Sequence, residues 1–299
     1  MKKIKFLDNK LISVKEYLMN NYQLTSAKVN KLINNGDIKV NNQKTSYNYQ
    51  LKYDDEIKLF FLKEKKQNFN FLKTKYNIKI FYEDENILIV NKTRGILCQE
   101  DAKQKIETLN NAVKKYLYNS KQWTINNDFD FTPNLCHRLD KYTTGLIIAA
   151  KNKDALIEIN KAFNKGLITK IYTVLVYGIP KIKEKTLVSY IKQENNIMKI
   201  DDENQYNKKI ITKYKVIQEY NKHSKLEVEL LTGKKHQIRV HLASINHPIL
   251  GDSKYNKIDL LNYKYPCLNA SKIIFNFKKN SFLAYLNKKK FILNKYEFK

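Results

Sequence analysis

Residues 135–150 read Leu-Cys-His-Arg-Leu-Asp-Lys-Tyr-Thr-Thr-Gly-Leu-Ile-Ile-Ala-Ala, and they place one carboxylate, Asp140, between two different surroundings. His137 and Arg138 precede it, and such polar side chains can meet a phosphate or a base. The apolar run at residues 146–150 follows a short turn and predicts a buried strand. Asp140 is therefore expected in a loop beside a sheet core, where burial and a nearby cation tune a carboxylate.

The composition indicates a polyanionic partner. The 299-residue chain, long enough for two domains, has 56 basic and 29 acidic residues, a formal net charge of +27, and 12% aromatic residues. This combination is typical of RNA binding, because lysines neutralise phosphates while aromatic rings stack on bases. The alternative is a compositional bias, since Lys, Asn, Ile and Tyr are abundant and there are only seven Gly and four Pro.

Arginine is rare in this chain, so its positions are informative. Only Arg94, Arg138 and Arg239 stand among the 56 basic residues. Arginine presents a flat, always charged, two-pronged donor that lysine cannot copy. Arg138 lies two residues from Asp140, and Arg239 lies in a second polar motif at residues 226–255. The sequence predicts that guanidinium geometry matters at both places.

Cysteine usage and hydropathy restrict the class of protein. Cys98, Cys136 and Cys267 are widely spaced, so neither a disulfide framework nor a zinc site is indicated, and a reducing compartment is expected. No apolar run approaches the roughly 18 residues of a membrane span, and residues 1–10 lack the apolar core of a signal peptide. We expect a soluble, cytoplasmic, monomeric protein with no membrane partner.

Residues 1–61 have the pattern of a small domain with a basic face. Residues 13–16, Ser-Val-Lys-Glu, have the form of a capping box and predict the start of a helix. A second helix, predicted to end at a glycine, turns its apolar residues inward and carries Lys28 and Lys31 on its other face. A hairpin is predicted over residues 38–60. This arrangement favours RNA docking; the alternative is an ordinary small domain with a solvated lysine face.

The rest of the chain alternates predicted strands and helices. Residues 62–76 are polar and lysine-rich without a clear period, which suits a linker before a domain of residues 77–299. Residues 171–178 are apolar on both faces, as in a central strand. Tyr172 in that strand is expected to bury its ring, with a partner for its hydroxyl, and a core role is the alternative to a functional one. Residues 181–208 predict excursions from the sheet.

The second polar motif predicts a helix over residues 236–245, after a half-exposed strand and a Thr-Gly turn. Arg239 lies one helical turn after His236. His236, His241 and His247 do not share a helical face, and no Cys or carboxylate is suitably spaced. A metal site is therefore not expected.

Three ordered motifs resemble those of the RluA-type pseudouridine synthases. They are His-Arg-Leu-Asp-Lys-Tyr-Thr-Thr-Gly at residues 137–145, Lys-Ile-Tyr-Thr-Val-Leu-Val-Tyr-Gly at 170–178, and Leu-Thr-Gly-Lys-Lys-His-Gln-Ile-Arg-Val-His at 231–241, continued by His-Pro-Ile-Leu-Gly-Asp at 247–252. Residues 24–41 are similar to the ribosomal-protein-S4-like RNA-binding domain. The resemblance covers nearly the whole chain, and three motifs in order are far more specific than any one.

The resemblance implies an α+β pseudouridine synthase fold: a large mixed, mostly antiparallel sheet flanked by helices in residues 77–299, after an S4-like αβ domain in residues 1–61. It implies that uridine within RNA is isomerised by breaking the N-glycosidic bond, turning the base and rejoining it through carbon, without a cofactor. Asp140 matches the catalytic aspartate of the family. Arg239 matches the arginine that pairs with it, expected as a two-pronged grip, and Tyr172 matches the tyrosine that packs under the base.

RNA contacts are expected from two regions. In the family pattern Arg138 fills the gap that a uridine leaves when it is drawn out of its stack. His137 beside it is a second expected contact, and the lysine face contributes Lys28 and Lys31. The S4-like domain favours large-subunit ribosomal RNA over transfer RNA as the substrate, and the residues do not name the target uridine.

Departures from the family pattern are few, and they avoid the positions matched to chemistry. In the catalytic domain this chain has Thr144 where the family often has Ser, Thr93 where it has Pro, Asn246 where it has Gly, and Asn269 where it has His. In the S4-like domain Asp54 stands where the family usually has the Gly of a Gly-Asp pair.

Two functions of other classes stay open. A non-catalytic ribosome assembly factor would bind RNA and leave uridine unchanged, whereas an RNA N-glycosidase would release free uracil.

Overall fold

The chain forms two compact units in a computed structural model. The structure describes residues 2–22, 24, 26–60, 69–125, 131–195, 197–204, 206–256, 261–294 and 298. The first unit comprises Met1–Phe69 with Ile125–Phe131, and the second comprises Asn70–Thr124 with Thr132–Lys299. Each unit has its own hydrophobic core.

The first unit packs two helices against a small antiparallel sheet. Its strands follow the order β1-β4-β2-β3. The elements are β1 (Lys2–Lys5), α1 (Val14–Tyr22), α2 (Ser26–Asn34), β2 (Ile38–Val40), β3 (Gln43–Lys44) and β4 (Glu56–Leu59). The predicted hairpin of β2 and β4 is present. Strand β1, which pairs with β4, was not predicted, because three lysines in four residues hide any apolar alternation.

Local sequence signals account for the two helices. Ser13 Oγ accepts a hydrogen bond from the Glu16 backbone N–H at 3.1 Å, and the Ser13 N–H donates back to the Glu16 carboxylate at 3.2 Å, so the predicted capping box starts α1. On α2, Lys28 and Lys31 are both exposed, as predicted, while Val29, Leu32 and Ile33 belong to the buried core. The turn before β4 places Asp54 at φ +68°, a conformation that glycine adopts without strain.

The second unit is built on one large sheet. The strand order is β11-β10-β12-β13-β9-β14-β8-β6-β5, with β15 beside β14 and β7 beside β8. Its elements are α3 (Asn70–Lys73), β5 (Ile80–Glu83), β6 (Ile87–Lys92), α4 (Leu109–Asn119), β7 (Asn134–Leu135), β8 (Thr144–Ala150), α5 (Lys153–Asn164), β9 (Ile168–Tyr177), β10 (Glu184–Glu194), β11 (Ile197–Asp201), β12 (Lys208–Glu219), β13 (His223–Leu230), α6 (Gln237–Ser244), β14 (Leu268–Phe275), a 3-10 turn (Ala284–Leu286) and β15 (Lys290–Ile292).

The predicted α+β class, with a large mixed and mostly antiparallel sheet, is confirmed. Among the described strands only β8 and β14 pair in parallel. The run at residues 146–150 is fully buried within β8, and β9 is a central strand between β13 and β14. Helix α6 follows β13 directly, which brings the second polar motif to the same sheet.

Two stretches of the second unit differ from the prediction. Residues 184–194 and 197–201 do not leave the sheet: they form β10, which pairs with β12, and β11, which pairs with β10. Few apolar side chains mark these strands, and the backbone ladder determines their place. Residues 70–76 are not linker: Phe71 is buried with its ring 5.5 Å from that of Trp123. Residues 62–68 of the predicted linker lie outside the described residues.

No described helix has the length and apolarity needed to cross a membrane.

Candidate active site

Asp140, Tyr172 and Arg239, which are far apart in sequence, meet beside the large sheet. Asp140 lies in the loop between β7 and β8, Tyr172 on β9 and Arg239 on α6. The start of β8 lies unusually close to β14: a Cβ added to Gly145, whose φ is +112°, would lie 2.3 Å from the carbonyl oxygen of Ala270. A glycine is needed for this approach, and it sets where the Asp140 loop ends.

Two adjoining cavities share this group of residues. One has a volume of about 340 Å³ and the other about 710 Å³. Arg138, Asp140 and Arg239 border both, whereas Tyr172 lines only the smaller cavity and Tyr142 only the larger. The carboxylate therefore lies where a pocket of ligand-binding size opens into a wider cleft.

The Arg239 guanidinium is held mainly by Asp252 and only secondarily by Asp140. Its Nε and Nη2 atoms each donate to Asp252 at 2.7 Å, and its Nη1 atom donates to Asp140 at 3.2 Å. The two-pronged grip predicted for Asp140 is wrong in this respect, because the grip is on Asp252, whose side chain is 0% exposed. Asp252 fixes the plane of the guanidinium, which then directs one N–H to Asp140.

The charge of Arg239 is secured by this arrangement. Burial lowers the pKa of Arg239, but the hydrogen bonds and negative charges of Asp252 and Asp140 outweigh burial, so that the pKa is raised above its ordinary value. A permanent cation therefore faces Asp140, whose side chain keeps 25% exposure toward the cavities. Asp140 is thus paired and accessible at once, as a reacting carboxylate must be.

Tyr172 places a buried ring in the wall of the smaller cavity. The residue is 5% exposed, as predicted for this strand. The predicted hydrogen-bond partner for its hydroxyl is absent among the described residues. Burial, and secondly the charge of Asp140, raise the pKa of the phenol far above its ordinary value, so the hydroxyl is protonated at neutral pH. An uncharged phenol next to Asp140 is available to a ligand in this cavity.

His236 and Tyr255 complete the surroundings of Asp140, and neither was predicted to take part. His236 Nε2 lies 3.7 Å from Asp140 Oδ2, and its Nδ1 lies 2.9 Å from the Tyr255 hydroxyl. The Tyr255 ring also lies 5.1 Å from the Arg239 guanidinium carbon. Burial lowers the pKa of His236 to about 4 although Asp140 opposes this, so the imidazole is neutral. His236 stands in the second polar motif, whereas nothing local marked Tyr255.

Lys92, which has 0% exposure and lies at the end of β6, binds the backbone of the Asp140 loop. Lys92 Nζ donates to the carbonyl oxygens of Thr93, Lys141 and Thr143 at 3.1, 2.9 and 2.7 Å. Burial lowers the pKa of Lys92 to about 8, and three acceptors match the three donors of the ammonium form. Sequence reasoning missed this residue, because it is one lysine among many.

We expect Lys92→Met to lower kcat at least tenfold with a smaller change in KM. Methionine has a similar volume but no donors, so the loop carbonyls lose their partners and Asp140 is no longer held in place. The free energy of unfolding should also fall by about 2–3 kcal/mol. Turnover and urea unfolding measure the two effects. The exposed Lys279→Met serves as the control, and an unchanged kcat for Lys92→Met would exclude a positioning role.

The two predicted RNA contacts beside Asp140 differ in the structure. Arg138 is exposed and borders both cavities, as a residue that meets RNA requires. His137 is partly buried, and its Nε2 accepts the backbone N–H of Ile148 at 3.1 Å. Burial, and secondly the charge of Lys170, hold the pKa of His137 well below its usual range. The neutral imidazole offers no positive charge to a phosphate, and its Nδ1 atom is buried within the protein.

Four departures from the family pattern have local explanations. The side chains of Asn269 and Thr144 contact each other, with Asn269 Nδ2 donating to Thr144 Oγ1 at 2.7 Å. Asn246 adopts φ +62°, a left-handed conformation that asparagine tolerates well. Thr93 uses its backbone N–H, which a proline would lack, to donate to the Tyr76 hydroxyl at 3.2 Å. None of these contacts disturbs Asp140.

The three histidines of the second motif are engaged separately. The described residues contain no cluster of three or more His, Cys, Asp or Glu side chains suited to a metal ion. His241 contacts Thr212 and Ser189, and His247 Nδ1 donates to the Tyr177 carbonyl, while His236 contacts Tyr255. These contacts place the three rings in different surroundings.

Comparison with known proteins connects this geometry to a family. Residues 86–244 match the family model for RNA pseudouridylate synthase. An uncharacterized RNA pseudouridine synthase of Mycoplasma capricolum is 36% identical over 280 residues, covering 88% of this chain and 87% of the relative. Ribosomal large subunit pseudouridine synthase D of Borreliella burgdorferi is 30% identical over 245 residues, covering 80% of this chain and 74% of the relative.

A solved structure agrees at the level of the fold. Human RNA pseudouridylate synthase domain containing 1 gives a TM-score of 0.54 at 22% identity, covering 68% of this chain and 80% of that one. The residues that match the family model include Asp140, Tyr172 and Arg239. The predicted motifs meet around Asp140, a partly exposed carboxylate, and sequence similarity extends over most of the chain. This chain therefore belongs to the RNA pseudouridine synthases of the RluA type.

Proposed function

We propose that the protein isomerises uridine to pseudouridine in large-subunit ribosomal RNA. The observation that carries this proposal is the position of Asp140, paired with a clamped arginine yet open to a cavity that Tyr172 lines. Relatives named as large-subunit ribosomal pseudouridine synthases support the choice of ribosomal RNA. The net positive charge of +27 suits a polyanionic substrate of this size.

The chemistry is an internal rearrangement that balances without a co-reactant. The N-glycosidic bond breaks, the uracil turns, its C5 atom bonds to C1′ of the ribose, and the proton on C5 is lost while N1 gains one. A carboxylate held against the ribose and base is suited to such glycosidic chemistry. We assign that role to Asp140, with Arg239 holding its direction through a hydrogen bond, and Tyr172 packing under the turning base.

A uridine in folded RNA must leave its stack to reach Asp140. The smaller cavity, about 340 Å³, receives the base in our proposal. Arg138 fills the vacated place, because it is exposed, borders both cavities and carries a flat cation that stacks on bases.

We further propose that the first unit is an S4-like domain that docks RNA. Residues 1–60 hold eleven lysines and six acidic residues, a net charge of +5. Lys28 and Lys31, three residues apart, lie on one face of α2, and both are exposed. A folded core anchors this helix, so the lysine face is presented on a rigid support. Such a face neutralises phosphates without reading sequence.

We expect the double variant Lys28→Gln, Lys31→Gln to bind ribosomal RNA more weakly and with a flatter salt dependence. Two lost phosphate contacts reduce the slope of log affinity against log salt by about 1.5. Conversion of a short RNA at high enzyme concentration should persist. Equilibrium binding at several salt concentrations, with single-turnover conversion, measures both quantities.

The exposed pair Lys278→Gln, Lys279→Gln carries the same charge change in the second unit and serves as the control. A truncated chain of residues 70–299 extends the test, provided that circular dichroism and a melting curve show it to be folded. Unchanged affinity and salt slope in both the double variant and the folded truncation would exclude RNA docking by the first unit.

Mapping of pseudouridine in total RNA, from cells with and without this gene, tests the main proposal. Loss of pseudouridine at sites in large-subunit ribosomal RNA, restored by the gene, is the expected result. Loss confined to transfer RNA would overturn the substrate. Incubation of purified protein with RNA separates the other classes: bound but unchanged RNA indicates an assembly factor, and free uracil indicates an N-glycosidase.

A further inference from the structure

We propose that Tyr142, stacked on Tyr265 in the larger cavity, is a platform for a base that neighbours the target uridine in single-stranded RNA. The inference rests on the proposed function, and it adds a binding site for a second nucleotide beside the catalytic one.

The two rings form an open stack. Their centroids are 4.7 Å apart with 23° between the planes. Tyr265 is half-buried, and its ring also lies 5.3 Å from the guanidinium carbon of Arg94. Tyr142 is 38% exposed and lines the larger cavity. One supported aromatic surface is therefore available, and every nucleobase can stack on such a surface.

The platform is held rigidly on both sides. The carbonyl of Lys141, next to Tyr142, accepts hydrogen bonds from Lys92 Nζ at 2.9 Å and from the Gly95 N–H at 3.0 Å. The Tyr265 backbone lies against Gly251, where an added Cβ would come within 2.1 Å of the Tyr265 carbonyl oxygen. Since neither ring must be ordered on binding, little entropy opposes the stacking of a base.

Positive charge surrounds the stack. Lys141 Nζ lies 5.5 Å from the centre of the Tyr142 ring, and Lys264 Nζ lies 5.9 Å from that of Tyr265. Lys235 and Lys254 also line the larger cavity. Aromatic faces beside several ammonium groups match a nucleotide, which has a flat base and a phosphate, and they match an apolar peptide poorly.

The acidic residues that line the larger cavity are engaged by other groups of the protein. Asp252 accepts two hydrogen bonds from Arg239, and Asp140, to which we assign the reaction, accepts one. The Asp101 carboxylate accepts the backbone N–H groups of Lys103 and Gln104, both at 2.8 Å, at the open edge. The remaining carboxylate of the lining, on Glu100, accepts a hydrogen bond from the Asn111 side chain at 3.1 Å. These carboxylates already have partners within the protein.

The place of the platform relative to the reaction fits a neighbouring nucleotide. Asp140 borders both cavities and stands two residues before Tyr142 on the same loop. When the target uracil occupies the smaller cavity, the RNA chain continues into the larger one. The adjacent nucleotide must then lie over the Tyr142 loop, where the exposed ring meets it.

A double-substitution cycle on equilibrium binding tests the platform. Tyr142→Ala and Tyr142→Phe are compared with the full-length wild type on a short RNA that carries the target uridine. The comparison is repeated on four RNAs, each of which lacks one base, at the first or second position before or after that uridine. We expect Tyr142→Ala to weaken binding of the intact RNA about tenfold. Loss of the base at one of the four positions should weaken binding to the wild type to a similar extent. Loss of that same base should not weaken binding to Tyr142→Ala any further. Tyr142→Phe should bind as wild type.

The control is Tyr118→Ala, since Tyr118 is 37% exposed and lines neither cavity. Melting curves show that each variant is folded. Unchanged affinity of Tyr142→Ala, or an equal loss on every abasic RNA, would overturn the platform. Binding and conversion are scored separately. Failure of the enzyme to convert any uridine would refute the proposed function alone, whereas conversion without coupling between Tyr142 and one abasic position would refute the platform alone.

Discussion

Asp140→Asn is expected to abolish pseudouridine formation while leaving RNA affinity nearly unchanged. The amide has the shape of the carboxylate but lacks its negative charge and its nucleophilic oxygen, so the chemical step should slow by about 10³-fold or more. Only one charge changes in a chain with 56 basic residues, which explains the small effect on binding. Arg239 keeps its two bonds to Asp252 in this variant, so its position is preserved.

The measurement follows from the chemistry. RNA labelled with tritium at C5 of uridine releases the label when C5 bonds to the ribose, so released tritium counts turnovers. Filter binding of the same RNA gives the affinity. The exposed Asp154→Asn is the matched control for loss of one carboxylate. Turnover of Asp140→Asn near the wild-type rate would remove Asp140 from the mechanism.

Arg239→Lys is expected to reduce turnover by about 100-fold although the positive charge is kept. The guanidinium makes two parallel bonds to Asp252 and a third to Asp140, and these directions come from one plane. An ammonium group cannot reproduce that fork, so one of the two carboxylates loses its partner. Asp252 is buried, and leaving it poorly paired costs about 3 kcal/mol or more of stability.

A second variant separates charge from geometry at this position. Asp252→Asn leaves the arginine and its bond to Asp140 in place but removes the anion that fixes the guanidinium plane. We expect turnover between that of the wild type and Arg239→Lys, with a smaller fall in melting temperature. If Arg239→Lys stays within about threefold of wild-type turnover while folded, the arginine only packs against its neighbours, and its rarity in the chain was misleading.

Much of the local structure could be predicted from the sequence, because it depends on neighbours along the chain. The capping box at Ser13 needs only residues three apart, and the buried strand at residues 146–150 needs only its own apolar run. The motifs around Asp140, Tyr172 and Arg239 indicated the family and the reaction in the same way. Comparison with relatives confirms the family, and the roles of these three residues stay predictions.

The sequence by itself determined the class of the fold, the family and the position of the candidate carboxylate, because short patterns carry that information. The tertiary structure alone decided how the site is held. Lys92 meets Thr143 across 51 residues, and Tyr142 stacks on Tyr265 across a still longer separation. It also decided that the two-pronged partner of Arg239 is Asp252. No periodicity or spacing encodes such contacts, since each depends on how distant strands and loops pack. Lysine and tyrosine are also abundant in this chain, so a single one cannot be distinguished from the others until its neighbours in space are known.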